Sequence, residues 1–327
     1  MPTDPSTEQT IAGLAGLQYV TGTTEPTDAE REALRRLAGQ VAELAARPIE
    51  AEKARLWTRH NDLQPERPLI FIDPENGWNE IITQDMLVCQ APLLRMWEMM
   101  LRKEIHWGTV LRDDRVIEPY FNVPYVYHDT GWGMMETQIH SSTPGGSYTW
   151  DYPLKDYDRD WSRLRRPEII IDWERTHATV ALAEELLGDL LTVRLRGVWW
   201  WSLGMTWEFI KLRGLQNLML DMYDHPDGVH RLMAFLRDGY LHRLDWLDEQ
   251  GLLSLNTGGT YVGSGGFGWT TQLPQPDFAG HVRPIDMWGF TESQETVGVS
   301  PAQFAEFIYP YQLPIAERFG LNCYGCC

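Results

Sequence analysis

Cysteine is scarce in this chain and is unevenly placed. Four cysteines occur among 327 residues: Cys89 stands alone, and Cys323, Cys326 and Cys327 lie within the last five positions. Secreted domains held by disulfides spread their cysteines through a short chain, so this arrangement argues against a disulfide framework. We therefore expect reduced thiols and a cytoplasmic protein.

Long apolar runs and a secretion signal are also absent from the sequence. No run approaches the roughly 20 apolar residues that a membrane-spanning helix needs. The first residues, Met-Pro-Thr-Asp-Pro, lack the basic and apolar segments of a signal peptide. The sequence therefore predicts neither a membrane partner nor secretion.

Basic residues are outnumbered by acidic ones. The 28 Lys and Arg residues stand against 46 Asp and Glu, which gives a formal net charge of −18. Such a chain repels the phosphates of nucleic acids and anionic membrane surfaces. A small anionic ligand remains compatible with this charge if arginines line its pocket. The composition favours a small-molecule substrate and excludes a nucleic-acid partner.

Tryptophan is the abundant residue that distinguishes the composition. Fifteen occur, and several stand beside glycine in segments that look like loops, as in Gly77-Trp78, Gly131-Trp132-Gly133 and Trp288-Gly289. Indole rings in such loops are typical of a pocket wall that stacks on a flat or cationic ligand. Ordinary loop packing is the alternative.

The apolar pattern predicts alternating strands and helices. Residues 1–66 predict a polar arm and two helices, the first beginning with a capping box at Thr27 and Glu30. Residues 67–327 contain about five strand–helix units, which favours parallel strands with crossover helices. We expect a (β/α)8 TIM barrel over 67–327 that is incomplete at its C-terminus, because a closed barrel has about eight units. An open, doubly wound sheet is the alternative.

Candidate functional residues lie on the turns that follow the predicted strands, where parallel α/β folds place their sites. Asp73, Glu75, His128 and Asp129 are the catalytic candidates, because carboxylates and imidazoles at strand ends can act as acids and bases. Each can equally cap its turn or lie on the surface. The substrate-binding candidates are Trp78, Arg194, Trp199, Trp288, Glu292 and Gln294.

Arg194 and Arg196 stand two positions apart in a strand-like segment and therefore share a face. If that face looks into the pocket, they can bind substrate carboxylates in a bidentate way. If it looks outward, they pair with acids on the covering helices. The glycine-rich stretch 263–268 lacks the lysine of a phosphate-binding loop, and a mobile lid is the better interpretation.

The C-terminal segment Cys323-Tyr324-Gly325-Cys326-Cys327 is typical of half a zinc site. Cys-x-x-Cys spacing brings two thiolates near one metal ion, and zinc binds thiolates well. We predict Cys323, Cys326 and Cys327 as zinc ligands, completed by His or Cys from elsewhere. Buried, inert cysteines are the alternative.

Three segments resemble the uroporphyrinogen decarboxylase superfamily. Residues 300–307, Ser-Pro-Ala-Gln-Phe-Ala-Glu-Phe, followed by Pro310-Tyr311, look like its SP-x-x-F-x-x-F…PY helix. Residues 222–232 resemble its DPE-x-VH-x-L helix start, and residues 286–289, Asp-Met-Trp-Gly, resemble its D-x-WGG strand end. The resemblance implies a (β/α)8 barrel with its site at the C-terminal mouth. It also implies one of two reactions: cofactor-free decarboxylation of a tetrapyrrole's acetate arms, or zinc-dependent methyl transfer from a methylated corrinoid to a thiol.

The chain departs from both branches of that superfamily. The decarboxylases carry an arginine-rich RQAGRY turn after the first strand, whereas residues 72–78 contain no arginine to bind substrate carboxylates. The methyltransferases carry His-x-Cys on the strand that corresponds to 321–325, where this chain has Asn322 and Tyr324.

We predict zinc-assisted methyl transfer involving a thiol and either a methylated small molecule or a corrinoid, with a corrinoid protein as partner. The first alternative is a decarboxylase or lyase of a tetrapyrrole or other carboxylated substrate, without a cofactor. The second is a corrinoid- or tetrapyrrole-binding protein without turnover.

Overall fold

The computed structural model describes residues 9–12, 18–21, 24–140, 148–264 and 266–325. In these ranges the α-helices are α1 (Asp28–Ala45), α2 (Pro48–Asn61), α3 (Trp78–Ile81), α4 (Pro92–His106), α5 (Trp173–Leu187), α6 (Thr206–Arg213), α7 (Leu215–Asp224), α8 (Pro226–Glu249), α9 (Pro301–Phe307) and α10 (Tyr309–Ala316). The strands are β1 (Gln9–Ala12), β2 (Gln18–Thr21), β3 (Tyr120–Pro124), β4 (Tyr127–Asp129), β5 (Thr137–His140), β6 (Tyr148–Asp151), β7 (Ile169–Ile171), β8 (Thr192–Arg196), β9 (Trp288–Thr291) and β10 (Leu321–Tyr324). None of the helices described is long and apolar enough to cross a membrane.

The first long helix begins and packs as its sequence predicts. The Thr27 hydroxyl accepts a hydrogen bond from the Glu30 N–H (3.3 Å), and the Glu30 carboxylate accepts one from the Thr27 N–H (2.9 Å). This capping box satisfies donors that the first turn of α1 would otherwise leave unpaired. Leu34, Leu37 and Val41 then lie on one buried face, which packs against α4.

Two pairs of parallel strands carry the part of the fold that matters for the site. Residues 120–124 of β3 pair with 192–196 of β8, and residues 288–291 of β9 pair with 321–324 of β10. Side chains opposite each other in these registers point to the same face. The register therefore places residues 194 and 196 beside residues 122 and 124.

The extended segment 252–256 joins the two pairs through specific hydrogen bonds. The Gly197 N–H, just after β8, donates to the Ser254 hydroxyl at 3.3 Å. On the other side the Asn256 side chain accepts from the Trp288 N–H at 2.9 Å and donates to the Trp288 carbonyl at 2.8 Å. The segment therefore connects the end of β8 to the start of β9.

The eight-stranded barrel predicted from the sequence is wrong. The strands of the described residues form five separate two-stranded sheets, two parallel and three antiparallel, and no barrel closes among them. Nor does the alternative of one continuous open sheet form there.

The reason is that side chains replace part of the backbone hydrogen-bond ladder. The N–H groups of Ile70 and Ile72 donate to the carboxylates of Asp114 and Asp113, both at 2.8 Å. The side chain of Asn256 fills the same role at β9. Alternation of strands and helices predicts parallel neighbours, but it cannot show where carboxylates and amides interrupt their pairing.

Two apolar cores fix the ends of these strands. One is built from α1, α4, α5 and β3 and includes Trp97 and Val123. The other is built mainly from α6, α7, α8 and α10 and includes Phe209 and Trp199. Since Val123 lies near the end of β3 and Trp199 follows β8, the turns after both strands are anchored in a packed core.

Candidate functional site

A cavity of about 410 Å³ lies at the ends of β3 and β8 and along β9. Its walls come from α4, the turn that follows β8, the segment 254–263 and β9. The volume falls within the range of roughly 300–1,000 Å³ that small-molecule sites occupy. The cavity is therefore the candidate site in the described part of the chain.

Tryptophan rings form much of the cavity wall. Trp199, Trp200 and Trp201 follow β8, and Trp288 opens β9. The indole N–H of Trp199 donates to the Leu252 carbonyl and that of Trp288 to the Gly268 carbonyl, each at 3.0 Å. Because these donors are already used, both indoles offer the cavity mainly apolar surface. The predicted substrate-binding residues Trp199 and Trp288 thus lie on the same cavity.

Two guanidinium groups line the cavity although the whole chain is acidic. Arg196, the last residue of β8, donates through Nη2 to the Leu255 carbonyl at 2.7 Å and to the Thr260 hydroxyl. Arg115 forms an ion pair with Glu104. Since Glu104 is the one carboxylate among the described lining residues, two positive groups face one negative group there. This local excess of positive charge attracts an anionic ligand.

Arg194 lies on the face of β8 that borders the cavity. It precedes Arg196 by two residues and lies further from the cavity than Arg196 does. Its Nε donates to the Asn122 side-chain oxygen at 3.1 Å, and its guanidinium lies 3.5 Å from the centroid of the Tyr120 ring. Burial lowers the pKa of Arg194, while nearby Glu118 opposes that effect. Arg194 therefore supports the polar residue Asn122, which does line the cavity.

Glu118 is a half-buried acid beside this arginine pair. Burial raises the pKa of Glu118, although Arg194, Arg196, Arg115 and a hydrogen bond from the Gly259 N–H act in the opposite direction. Removal from water disfavours the charged carboxylate more than its neighbours favour it. An acid that sequence analysis did not single out therefore lies beside the arginines of the cavity.

The turn predicted to supply two catalytic acids is held by hydrogen bonds among its own residues. Asp73 Oδ1 accepts hydrogen bonds from the Trp78 indole N–H at 2.9 Å and from the Glu75 N–H at 3.0 Å. Trp78 is buried and meets the Trp107 ring edge-on, with ring centroids 4.7 Å apart. Asp73 and Glu75 are exposed, and none of the three lines the cavity. Asp73 thus acts in the structure as a turn cap.

His128 and Asp129 lie on β4, which pairs with β7 rather than with the strands of the cavity. Asp129 Oδ2 accepts a hydrogen bond from Arg243 Nη2 at 2.8 Å, and Oδ1 accepts one from the Gly131 N–H at 2.8 Å. Arg243 is 4% exposed, so this pair ties β4 to α8 in a buried contact. His128 is exposed, and neither residue reaches the cavity.

Glu292 follows β9 directly and is 6% exposed. Its Oε2 accepts a hydrogen bond from the N–H of Gln294, the other predicted substrate-binding residue of this turn, at 2.8 Å. Burial raises the pKa of Glu292, and the neighbouring Glu295 carboxylate adds to the effect, whereas a hydrogen bond with Ser202 opposes it. Neither Glu292 nor Gln294 lines the cavity among the described residues.

A pH titration of stability tests the environment of Glu292. A carboxyl whose pKa is raised by folding holds its proton more tightly in the folded state, so it stabilises the fold at low pH and loses that contribution as pH rises through the folded pKa. The quantity to compare is the free energy of unfolding of the wild type minus that of Glu292→Gln. We expect this difference to fall as the pH rises above about 4, with a slope of at most about 1.4 kcal/mol per pH unit. Glu174→Gln, at an exposed position of α5, is the control for the substitution itself. A flat or rising difference for Glu292→Gln would show that the carboxyl is not buried as described.

Of the predicted zinc ligands, Cys323 lies among the described residues, whereas Cys326 and Cys327 lie outside them. Cys323 stands opposite Phe290 in the β9–β10 register, and its Sγ lies 2.9 Å from where a Cβ on Gly263 would be. Phe290 and Gly263 both line the cavity, so the thiol borders its wall. Burial raises the pKa of the Cys323 thiol, which disfavours the thiolate.

The described residues do not complete a zinc site by themselves. Within the described ranges, no three His, Cys, Asp or Glu side chains come close enough together to hold a metal ion. The prediction that Cys323, Cys326 and Cys327 bind zinc therefore stays a prediction.

Several cavity residues escaped the sequence analysis. Arg115, Asn122, Ser254 and Glu104 line the cavity but belong to no motif that the sequence displays. The alternation of side chains along β3 and β8 could have indicated Asn122. Because residues 122 and 194 pair, the face of the sheet that carries Arg196 also carries Asn122. The sequence does not reveal that pairing by itself.

Comparison with known proteins adds no assignment: no protein-family model, no curated protein and no solved structure matches this chain.

Proposed function

We propose that this chain is an enzyme that binds a small carboxylated molecule with a flat, conjugated body in the 410 Å³ cavity and releases the carboxyl group as carbon dioxide. The observation that carries the proposal is the presence of Arg196 and the Trp199–Trp201 turn in one cavity.

Binding follows from the chemistry of these two groups. A guanidinium is planar and always charged, and its donors match the geometry of a carboxylate. The indole of Trp288, whose N–H group is already used, offers apolar surface to a flat ring. The positive excess given by Arg115 and Arg196 selects an anion over a cation. Together these features select a molecule with an anionic end and a conjugated body.

Decarboxylation suits such a molecule in such a cavity. The bond between the carboxyl carbon and its neighbour breaks, carbon dioxide leaves, and the electron pair stays on the neighbouring carbon until a proton from water replaces the lost group. A conjugated ring next to that carbon can delocalise the electron pair, so ring-linked acetates are the substrate class. The apolar surface of the tryptophan wall favours the dispersal of negative charge in the transition state.

The test uses indole-3-acetate labelled with ¹³C in its carboxyl group and the neutral indole-3-acetamide as its matched control. We expect the acid to bind at least about tenfold more tightly than the amide, because hydrogen bonds to charged groups contribute about 1.5–3 kcal/mol. Calorimetry measures the binding and ¹³C NMR measures the release of labelled carbon dioxide. Binding of the acid without release would support a binding protein without turnover, and equal affinity for acid and amide would overturn the proposal.

Zinc-assisted methyl transfer to a thiol is the second candidate. The position of the Cys323 thiol against Gly263 and Phe290 of the cavity wall favours it. Metal analysis of the same protein samples separates the two candidates, since about one zinc ion per chain that is lost in Cys323→Ala would support methyl transfer.

A further inference from the structure

The segment 254–263 forms one wall of the cavity, and its glycines let it approach the rest of the site closely. Gly259, Thr260, Tyr261, Val262 and Gly263 all line the cavity. The Tyr261 ring also stacks on Trp201, with the ring centroids 5.5 Å apart. We call residues 257–263 the glycine loop. The shape of the cavity depends on where this loop lies.

The carboxylate of Glu118 meets the backbone of the glycine loop. It accepts a hydrogen bond from the Gly259 N–H. A Cβ placed on Gly259 would overlap Glu118 Oε2, and one on Gly258 would lie 3.5 Å from Oε1. An alanine Cβ at position 259 would therefore displace the Glu118 carboxylate. The Glu118 carboxylate therefore packs against the backbone of Gly258 and Gly259.

Arg196 holds the next residue of the same loop. Its Nη2 donates to the Thr260 hydroxyl and to the Leu255 carbonyl, at the base of the loop. The charged groups around Glu118 are Arg115, Arg194 and Arg196, and each attracts its carboxylate. Glu118 thus contacts the loop at Gly259 and lies beside the arginines that support the cavity.

We propose that Glu118 is a positioning residue that docks the glycine loop onto the inner face of β3 and β8 and so keeps the cavity formed. This inference goes beyond the proposed function, because the docking of the loop does not depend on which ligand the cavity takes. The mobile lid predicted for residues 263–268 stays a prediction.

Three substitutions separate docking from simple charge balance. Glu118→Asp keeps the charge but shortens the side chain by one methylene, Glu118→Gln keeps the reach but removes the charge, and Glu118→Ala removes both. Hydrogen exchange of the backbone amides at 258–264, measured without any ligand, reports the opening of the loop. Glu174→Ala, at an exposed site on α5, is the control.

Docking predicts that Glu118→Asp and Glu118→Ala accelerate exchange in the loop about tenfold or more, whereas Glu118→Gln gives a smaller change because its amide oxygen still reaches Gly259. Amides of α8 should keep their wild-type exchange rates in all variants. If Glu118→Asp exchanges like the wild type while Glu118→Gln exchanges like Glu118→Ala, charge balance alone is at work and the inference falls. Failure of indole-3-acetate to bind would instead overturn the proposed function and leave this exchange pattern as the test of docking.

Discussion

The Arg196→Met variant is expected to bind indole-3-acetate at least about thirtyfold more weakly than the wild type, because removing one partner of a buried, hydrogen-bonded charge pair costs about 2–5 kcal/mol. Methionine has nearly the reach of the arginine stem but no charge, so it fills space at the end of β8 without offering donors. Calorimetric titration of both proteins with the same ligand measures the effect.

Two control variants show whether the charge itself is responsible. Arg175→Met makes the same chemical change on α5, where the side chain is 37% exposed and pairs with Asp172, so affinity should not change. Thr260→Val removes the hydroxyl that Arg196 contacts but keeps the guanidinium, so it should weaken binding far less than Arg196→Met. Equal losses in Thr260→Val and Arg196→Met would mean that Arg196 only anchors the loop.

The Gly268→Ala variant is expected to lose at least about 2–3 kcal/mol of unfolding free energy, because it overpacks a site that cannot relax. A Cβ at this position would overlap the Asn256 carbonyl oxygen and lie 2.8 Å from the Asn256 carbonyl carbon. Both are backbone atoms of the segment that joins β8 to β9, and the Gly268 carbonyl also accepts the Trp288 indole hydrogen bond. Relief of the clash must therefore shift part of the cavity wall. Urea denaturation measures the change in stability.

Gly39→Ala is the matched control for that experiment. Gly39 lies within α1, and a Cβ there would meet nothing within 4 Å. Alanine should therefore stabilise the chain by about 0.5–1 kcal/mol through its higher helix propensity. If Gly268→Ala were as stable as the wild type, the close contact between residues 256 and 268 would be incorrect.

Local features of the fold could be predicted from the sequence because interactions between residues close together in the chain determine them. The capping box at Thr27 and Glu30 depends on four consecutive residues, and the structure confirms it. The buried face of α8, with Val229, Leu232 and Leu236, likewise follows the 3.6-residue period.

Contacts between residues far apart in the chain could not be predicted in the same way. The predicted barrel fails because Asp113, Asp114 and Asn256 bond to backbone groups that a continuous sheet would pair. No pattern in the sequence says that Asp129 will meet Arg243, 114 residues away, instead of a substrate. The predictions of site residues accordingly had different outcomes. Trp199 and Trp288 line one cavity. The predicted catalytic residues do not line it: Asp73, Glu75, His128 and Asp129.

The arginine-lined cavity is the central claim, and a thermodynamic cycle tests it most directly. Dissociation constants of indole-3-acetate and indole-3-acetamide are measured for the wild type and for Arg196→Met. The account predicts that the wild type prefers the acid by about tenfold or more and that the variant loses this preference, so that the ligand's carboxylate and the Arg196 guanidinium are energetically coupled. An acid preference of the same size in both proteins would contradict the account, because the carboxylate would then bind somewhere other than beside Arg196.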